Sequence, residues 1–496
     1  MRAALVCLIM VGMVFAGCVE DPSTGKGAAD AKKGAGKSGV NVNTPRVLDG
    51  FLGHNSINLS LDPTELFPVL PTVSYVSVGR RGPEPSIGVT KNGMIFFQAI
   101  AGSGTGTGPS TMRSDDGGKT WKDVAMAPFT APTTLDPFLW VDQDTDRVFV
   151  NHLYVACSYL SMSDNYGQTW VTNPVACGLP GNDHQKIGTG KFRAPLMPTP
   201  AYKNVVYYAY NGVAAGSRIS MSFDGGITWP LNTQTVAPGA CSGGLHGRVH
   251  TGPDGWAYVP KRDCGGFIIA ASDNNGVTWT TTKAGVDVGS ATFRKNPELA
   301  VDTENNLYMV WPGNNNRLYL SISKDHGKTW SQRSLEAAPP EVTTTTMPSV
   351  VAGGPGRIAY AYYGVYQGNG KNPECVGTDE TWDLFVTWSL NALDDNPTFV
   401  TTRANALDDP VQIGGISTNS GSPPADCKYR RNLLDFIDLT MDKEGRVYVA
   451  TADGCIDCKT QESSSGSMGM ASVQLTGPSL LPGKPDFLEA PKGVGG

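Results

Sequence analysis

One eight-residue phrase recurs five times along the chain: SDDGGKTW from Ser114 to Trp121, SDNYGQTW from Ser163 to Trp170, SFDGGITW from Ser222 to Trp229, SDNNGVTW from Ser272 to Trp279, and SKDHGKTW from Ser323 to Trp330. Successive copies begin roughly 50 residues apart, the period expected when each repeat is one small antiparallel sheet in a ring rather than an independent domain. The chain is therefore read as repeats of one unit.

The phrase has a mechanical logic. The short acceptor at its third position (Asp116, Asn165, Asp224, Asn274, Asp325) can take hydrogen bonds from backbone N–H groups two or three residues on and so close a turn. The glycine at the fifth position supplies positive φ, and Thr-Trp restarts an extended strand with a large anchor. With these residues in register, the chain resembles the Asp-box, or bacterial neuraminidase repeat, of sialidase-like β-propellers, over a span from Pro83 to Leu475. The resemblance implies that the box is a structural turn.

A second pattern precedes each box: an apolar strand, a turn with Asp, Asn or Gly, and another apolar or aromatic strand. It occurs at Ser86, Phe138, Lys186, Gly247, Glu298, Ser349 and Phe436. The count predicts an all-β chain, a β-propeller of seven blades with six as the alternative, each blade a four-stranded antiparallel meander. In the sixth unit TWDLFVTWSLNALDDNPTFVTT replaces the boxed hairpin, and the seventh keeps only MASVQL as a clear third strand. An N-terminal segment, Ile57–Leu61 or Val73–Val78, is expected to supply the missing outer strand and close the ring. Closure removes exposed sheet edges.

Before the ring, Arg2 and a short apolar run from Ala3 to Ala16 lead into Phe15-Ala16-Gly17-Cys18. The run is too short to span a membrane and reads as a lipoprotein signal peptide of residues 1–17. Cys18 then carries lipid, residues 18–45 form a Gly-, Ala- and Lys-rich tether, residues 46–480 the propeller, and 481–496 a C-terminal tail. The expected location is the cell envelope, membrane-anchored and facing the extracytoplasmic side. Of ten cysteines, eight lie beyond Cys7 and Cys18, an even number that favours disulfides in an exported chain. A net charge of −6 with no Lys/Arg-rich face argues against nucleic acid as a partner.

In a meander, the A–B and boxed C–D turns share one face of the disc, and the B–C loops and interblade links share the other. All eight cysteines fall on that second face, with Cys157–Cys177, Cys241–Cys264, Cys375–Cys427 and Cys455–Cys458 as the expected bridges. The search for function moves to the same face, where the loops supply Arg81, Glu84, Asp136, His184 and His246. Arg248, Arg294, Glu298, Arg430 and Arg431 join them as ligand-binding candidates. Arg248, Arg294 and Arg430, from separate units, are candidates for an anion cluster. No cofactor is implied and no metal site: His246 and His250 need not converge in a strand, and Asp142-Gln-Asp144-Thr-Asp146 lacks the later ligands of a calcium loop.

The resemblance implies sialidase chemistry: three arginines for a carboxylate, the first in an Arg-Ile-Pro motif, an acid/base Asp in the first blade, and a Glu-activated Tyr nucleophile. The sequence departs from it. Pro83 stands at the place of the first arginine, and Ser86 to Ser114 contain no Asp or Glu. No catalytic residues are assigned. The expectation is a sialidase-like build that binds a glycan or protein ligand opposite the boxes, with an exo-acting glycoside hydrolase of rearranged site as the alternative, using Glu84, Asp136 or Glu298.

Overall fold

The structure is a computed structural model and describes residues 54–55, 66–100, 111–124, 135–154, 157–177, 182–196, 201–212, 216–236, 246–263, 266–284, 297–331, 335–417, 427–455, 458–460 and 466–494. Among them the regular elements are strands, arranged as seven antiparallel blades and one two-stranded parallel pair. The innermost strands, A, are Ser86–Val89, Leu135–Asp142, Asn182–Lys191, His250–Thr251, Glu298–Val301, Val342–Ala352 and Asp438–Met441 for blades 1 to 7.

What makes this a ring is visible in the second strands. Phe96 packs against Leu139 and Val150 of blade 2, while its neighbour Phe97 packs with Val473 and Ala450 of blade 7. Tyr207 and Tyr208 divide likewise between blades 4 and 2. Period-2 alternation therefore buries both faces of each sheet, which explains why these strands read as continuous apolar runs. Seven apolar clusters result, one at each junction between neighbouring blades, including the junction of blade 7 with blade 1. At the centre the inner strands approach closely: a Cβ on Gly188 would lie 2.7 Å from the Val249 carbonyl oxygen of the next blade.

Blade 7 is completed from the N-terminus, as expected: Thr72–Val73 and Val76–Ser77 pair with Met468–Thr476. The other candidate for that strand, Ile57–Leu61, lies outside the described residues. His54–Asn55 adds an outermost strand to blade 6. The segment read as a tail is packed as far as Val494. Gly477 bridges to Phe487, Arg446 lies over the Phe487 ring, and the Val494 amide donates to the Asp115 carbonyl.

In the first box the Ser114 hydroxyl donates to Asp116 and receives the Gly118 amide at 2.9 Å. Asp116 accepts the Lys119 amide and both the amide and hydroxyl of Thr120. The carboxylate thus reaches three and four residues on, one further than expected. The fifth-position glycines all have positive φ, from 81° to 96°. Blade 6 carries a box in disguise: Ser389 donates to Asn391, which receives the Thr398 amide at 2.9 Å across a longer turn.

Cys375–Cys427 and Cys455–Cys458 are bonded. Cys157 is also disulfide-bonded, and Cys177 stands opposite it in the ladder. Cys241, Cys264 and Cys18 lie outside the described residues. Among the described residues no helix is long and apolar enough to cross a membrane.

Candidate functional site

Each blade sends one side chain of strand A into the channel at the same depth, four residues before its A–B turn. The ring so formed is Ser86, Phe138, Lys186, Arg248, Glu298, Ser349 and Asp438. Its members hold one another. Arg248 donates to Asp438, to Glu298 at 3.4 Å, to Ser349 at 3.2 Å, and to the carbonyls of Leu439 and Val350. The Leu139 amide donates to Ser86 and the Ile87 amide to Asp438, both at 2.9 Å. Lys186 sits over the rings of Phe138 and Phe436. This layer plugs the channel, with two cations against two carboxylates.

One step toward the face opposite the boxes, strand A is distorted in a repeated way. Glu84, Asp136, His184 and Met347 occupy one position in blades 1, 2, 3 and 6, each with φ between 48° and 55°. In blades 2, 3 and 6 the ladder slips there, two residues facing one, as in a β-bulge. Left-handed backbone in residues other than glycine costs about 1–3 kcal/mol each and persists where surrounding structure enforces it, often at functional sites. The repeated left-handed residue sets Glu84, Asp136 and His184 at the channel mouth.

Four carboxyl groups converge there. Burial first, then Asp136 and Asp435, pushes Glu84 well above the ordinary carboxylate range, against the pull of Lys186 and Arg431. Burial, then the charge of Asp136 and a hydrogen bond with it, pushes Asp183 up to about 8. Asp136 accepts the His184 amide at 3.2 Å, and Asp435 forms a forked pair with Arg431 at 2.9 and 3.0 Å. Lys186 is brought down to about 8, chiefly by burial. His246, brought down to about 3 by burial, is neutral at pH 7. Its Nδ1 lies 2.8 Å from the Gly247 carbonyl, so Nδ1 donates and Nε2 is an acceptor without a partner among the described residues. Glu84 Oε2 is likewise buried without a partner among them.

The candidates thus separate. Glu84, Asp136, His184 and Arg431 gather at the mouth; His246 stacks edge-on against His184, centroids 5.6 Å apart. Arg248 and Glu298 lie below, in the plug. Burial would raise Glu298, but His250, Arg248 and Lys186 outweigh it and hold the carboxyl below its ordinary value. Arg248 is 5% exposed and its donors are taken, so it is a cross-channel tie and not part of an open anion cluster. Arg294 lies outside the described residues. Arg430 is half-buried in a short parallel pairing with Gly415–Ile416, and Arg81 is exposed beside Gly466. His250 faces Glu298 while His246 faces Gly247, so the two histidines diverge. Asp142 and Asp144 are tied by Tyr202 and Asn204 into a turn. Lys186 and Asp438 were missed, although alignment of the seven strands A on their A–B turns would have found both.

The BNR/Asp-box repeat family profile matches residues 112–123, the first box. Fold and repeat together define an Asp-box β-propeller. Among solved structures, an α-L-arabinofuranosidase of Fusarium graminearum shares 13% identity and a TM-score of 0.41, covering 62% of this chain and 92% of its own. The NanB sialidase of Streptococcus pneumoniae shares 11% identity and a TM-score of 0.41, over 79% of this chain and 68% of its own. The intramolecular trans-sialidase of Ruminococcus gnavus shares 14% and 0.41, over 78% and 93%. No curated protein matches the sequence.

Proposed function

We propose that the protein is a cell-envelope-anchored, extracytoplasmic propeller that binds an uncharged glycan at the channel mouth, on the face opposite the Asp-boxes. The observation that carries this reading is the state of the charges. The donors of Arg248 are taken up by Glu298, Asp438, Ser349 and two carbonyls, and the two terminal nitrogens of Arg431 by Asp435. The mouth therefore has carboxyl groups and a neutral imidazole to offer, and these suit hydroxyls, which both donate and accept. A carboxylate-bearing sugar would need a free guanidinium fork. On an array of oligosaccharides, neutral glycans should bind, and Asp136→Asn with Glu84→Gln should abolish that binding. Retention of acidic glycans alone, or of a protein ligand only, would overturn the reading. Anchoring rests on the Phe15-Ala16-Gly17-Cys18 sequence; Cys18→Ser should release the protein from the detergent phase into the aqueous phase.

The alternative, glycoside hydrolysis, has one observation in its favour: Asp183 keeps a proton to about pH 8 and so has an acid's protonation state at neutrality. Against it, Asp183 and Asp136 are in hydrogen-bond contact, closer than the ~5 Å that flanking carboxyls need to bracket a glycosidic bond. An aryl-glycoside panel decides: turnover that falls above about pH 8 and vanishes in Asp183→Asn would establish the enzyme.

A further inference from the structure

We infer that a cleft between blades 5 and 6 is a second ligand site, built for a single uncharged sugar residue. It stands on its own walls and does not require that the channel mouth bind anything. The cleft has a volume of about 250 Å³ and opens on the face opposite the boxes. Asn314 and Asn316 come from the B–C loop of blade 5, Thr345 and Thr346 from strand A of blade 6, and Asn372 and Pro373 from the long B–C insertion of blade 6.

Its polar groups are partly fixed and partly unused. The Thr345 amide and hydroxyl both donate to the Asn316 carbonyl, at 2.8 and 2.9 Å, which ties the loop to the strand. The Asn316 side chain donates to the Gly370 carbonyl at 2.9 Å and keeps its own amide oxygen free. Asn372 is held by the amides of Glu374 and Cys375. Behind it the Ile416 amide donates to Pro373 and the Cys375–Cys427 bridge pins the insertion. Against this background Thr346 stands out. It is 1% exposed as a whole, it lines the cleft, and among the described residues its hydroxyl makes no hydrogen bond while its oxygen stays reachable from the cleft. A ligand hydroxyl can replace water there at little cost.

The chemistry of the occupant follows. No charged side chain lines the cleft, so nothing there compensates a carboxylate or phosphate. A free hydroxyl beside a free amide oxygen, with Pro312 and Pro373 as apolar walls, matches a ring that carries hydroxyls on its edge and C–H groups on its faces. The volume holds about eight waters at ~30 Å³ each and lies below the ~300 Å³ at which drug-sized pockets begin, so one ring fits and an oligosaccharide does not.

Saturation-transfer NMR on the folded protein tests this, with methyl glycosides of a neutral hexose, an N-acetylhexosamine, glucuronic acid and sialic acid as probes. Asn314 is exposed, so Asn314→Phe can fill the cleft without disturbing the core, and Thr346→Val removes the hydroxyl at constant shape. Each cleft variant is also made in the Glu84→Gln, Asp136→Asn background, in which the mouth no longer binds. There a neutral glycoside should still bind and should weaken about tenfold with Asn314→Phe or Thr346→Val. No neutral glycoside bound in that background would overturn the cleft while leaving the mouth reading intact. Binding of the acidic glycosides alone would also overturn it; wild-type binding that the mouth variant leaves unchanged and the cleft variants abolish would support the cleft and refute the mouth.

Discussion

Replacing Arg248 by methionine removes the tie that crosses the channel. It strands Glu298 and Asp438, which are 6% and 1% exposed, without the cation that both face. Removing one partner of a buried pair costs about 3–5 kcal/mol. The carbonyls of Leu439 and Val350, which also lose their donor, add about 1 kcal/mol each. The expected loss is about 5–7 kcal/mol at neutral pH. With an unfolding entropy of about 2.1 cal/mol/K per residue over a ring of about 400 residues, that lowers Tm by about 6–8 °C. The pH dependence supplies a sharper reading. Removing Arg248 raises the folded pKa of both carboxyls relative to wild type, and that of Asp438 from a value already above the ordinary one. The folded state then binds more protons, and the defect shrinks as pH falls toward the unfolded value near 4. Scanning calorimetry at about pH 7.5 and about pH 5 should find the deficit roughly halved at the lower pH, and Asp438→Asn added to Arg248→Met should recover part of it. A loss below about 1 kcal/mol, within the range of an exposed pair, or one that grows on acidification, would refute the idea that this ring is a buried charge lock.

Asp116→Ala should cost about 1–2 kcal/mol, because the carboxylate closes its turn with three donors, and it should leave ligand binding unchanged on a glycan array. Burial would raise Asp116, Asp224 and Asp325, but their threonine hydroxyls and amides hold all three below the ordinary value. Their contribution is present above about pH 4 and is lost as pH falls through the folded values, so acid melts should be shallower in the Asp116→Ala variant. Paired Cys375→Ser and Cys427→Ser should lower stability by about 4 kcal/mol in a calorimetric comparison, since the bond closes a separation of 52 residues. Asp183 titrates above its unfolded value, so wild-type stability should fall as pH rises from about 4 through 8. Asp183→Asn should flatten that slope and be the more stable protein at about pH 8.5, by thermal melting.

The boxes and hairpins were legible because each is a local pattern: a Ser–x–Asp turn closes within eight residues, and a buried strand declares itself by its run of apolar side chains. The N-terminal clasp was legible too, as the one strand blade 7 lacked. Blade 6 kept its Ser389–x–Asn391 pair but hid it, because the turn beyond was longer than the repeat. The site was only half legible. Glu84, Asp136 and His184 could be placed on the right face from blade topology, but the left-handed backbone that lifts them has only a partial signature: a proline follows Glu84, Asp136 and Met347, while Gln185 follows His184. Arg248 looked free because its acceptors lie up to 191 residues away, and a partner across a channel leaves no trace in local sequence.

The clasp also sets a direction. Thr72 pairs with Thr476 and Ser77 with Met470, so the chain climbs the rim of blade 7 from the box side toward the mouth. His54 and Asn55 likewise lie against the box-side end of an outer strand, Thr398–Arg403. The first described strands therefore run across the full height of blade 7, and one short segment ties the boxed underside of the ring to the side that carries the mouth.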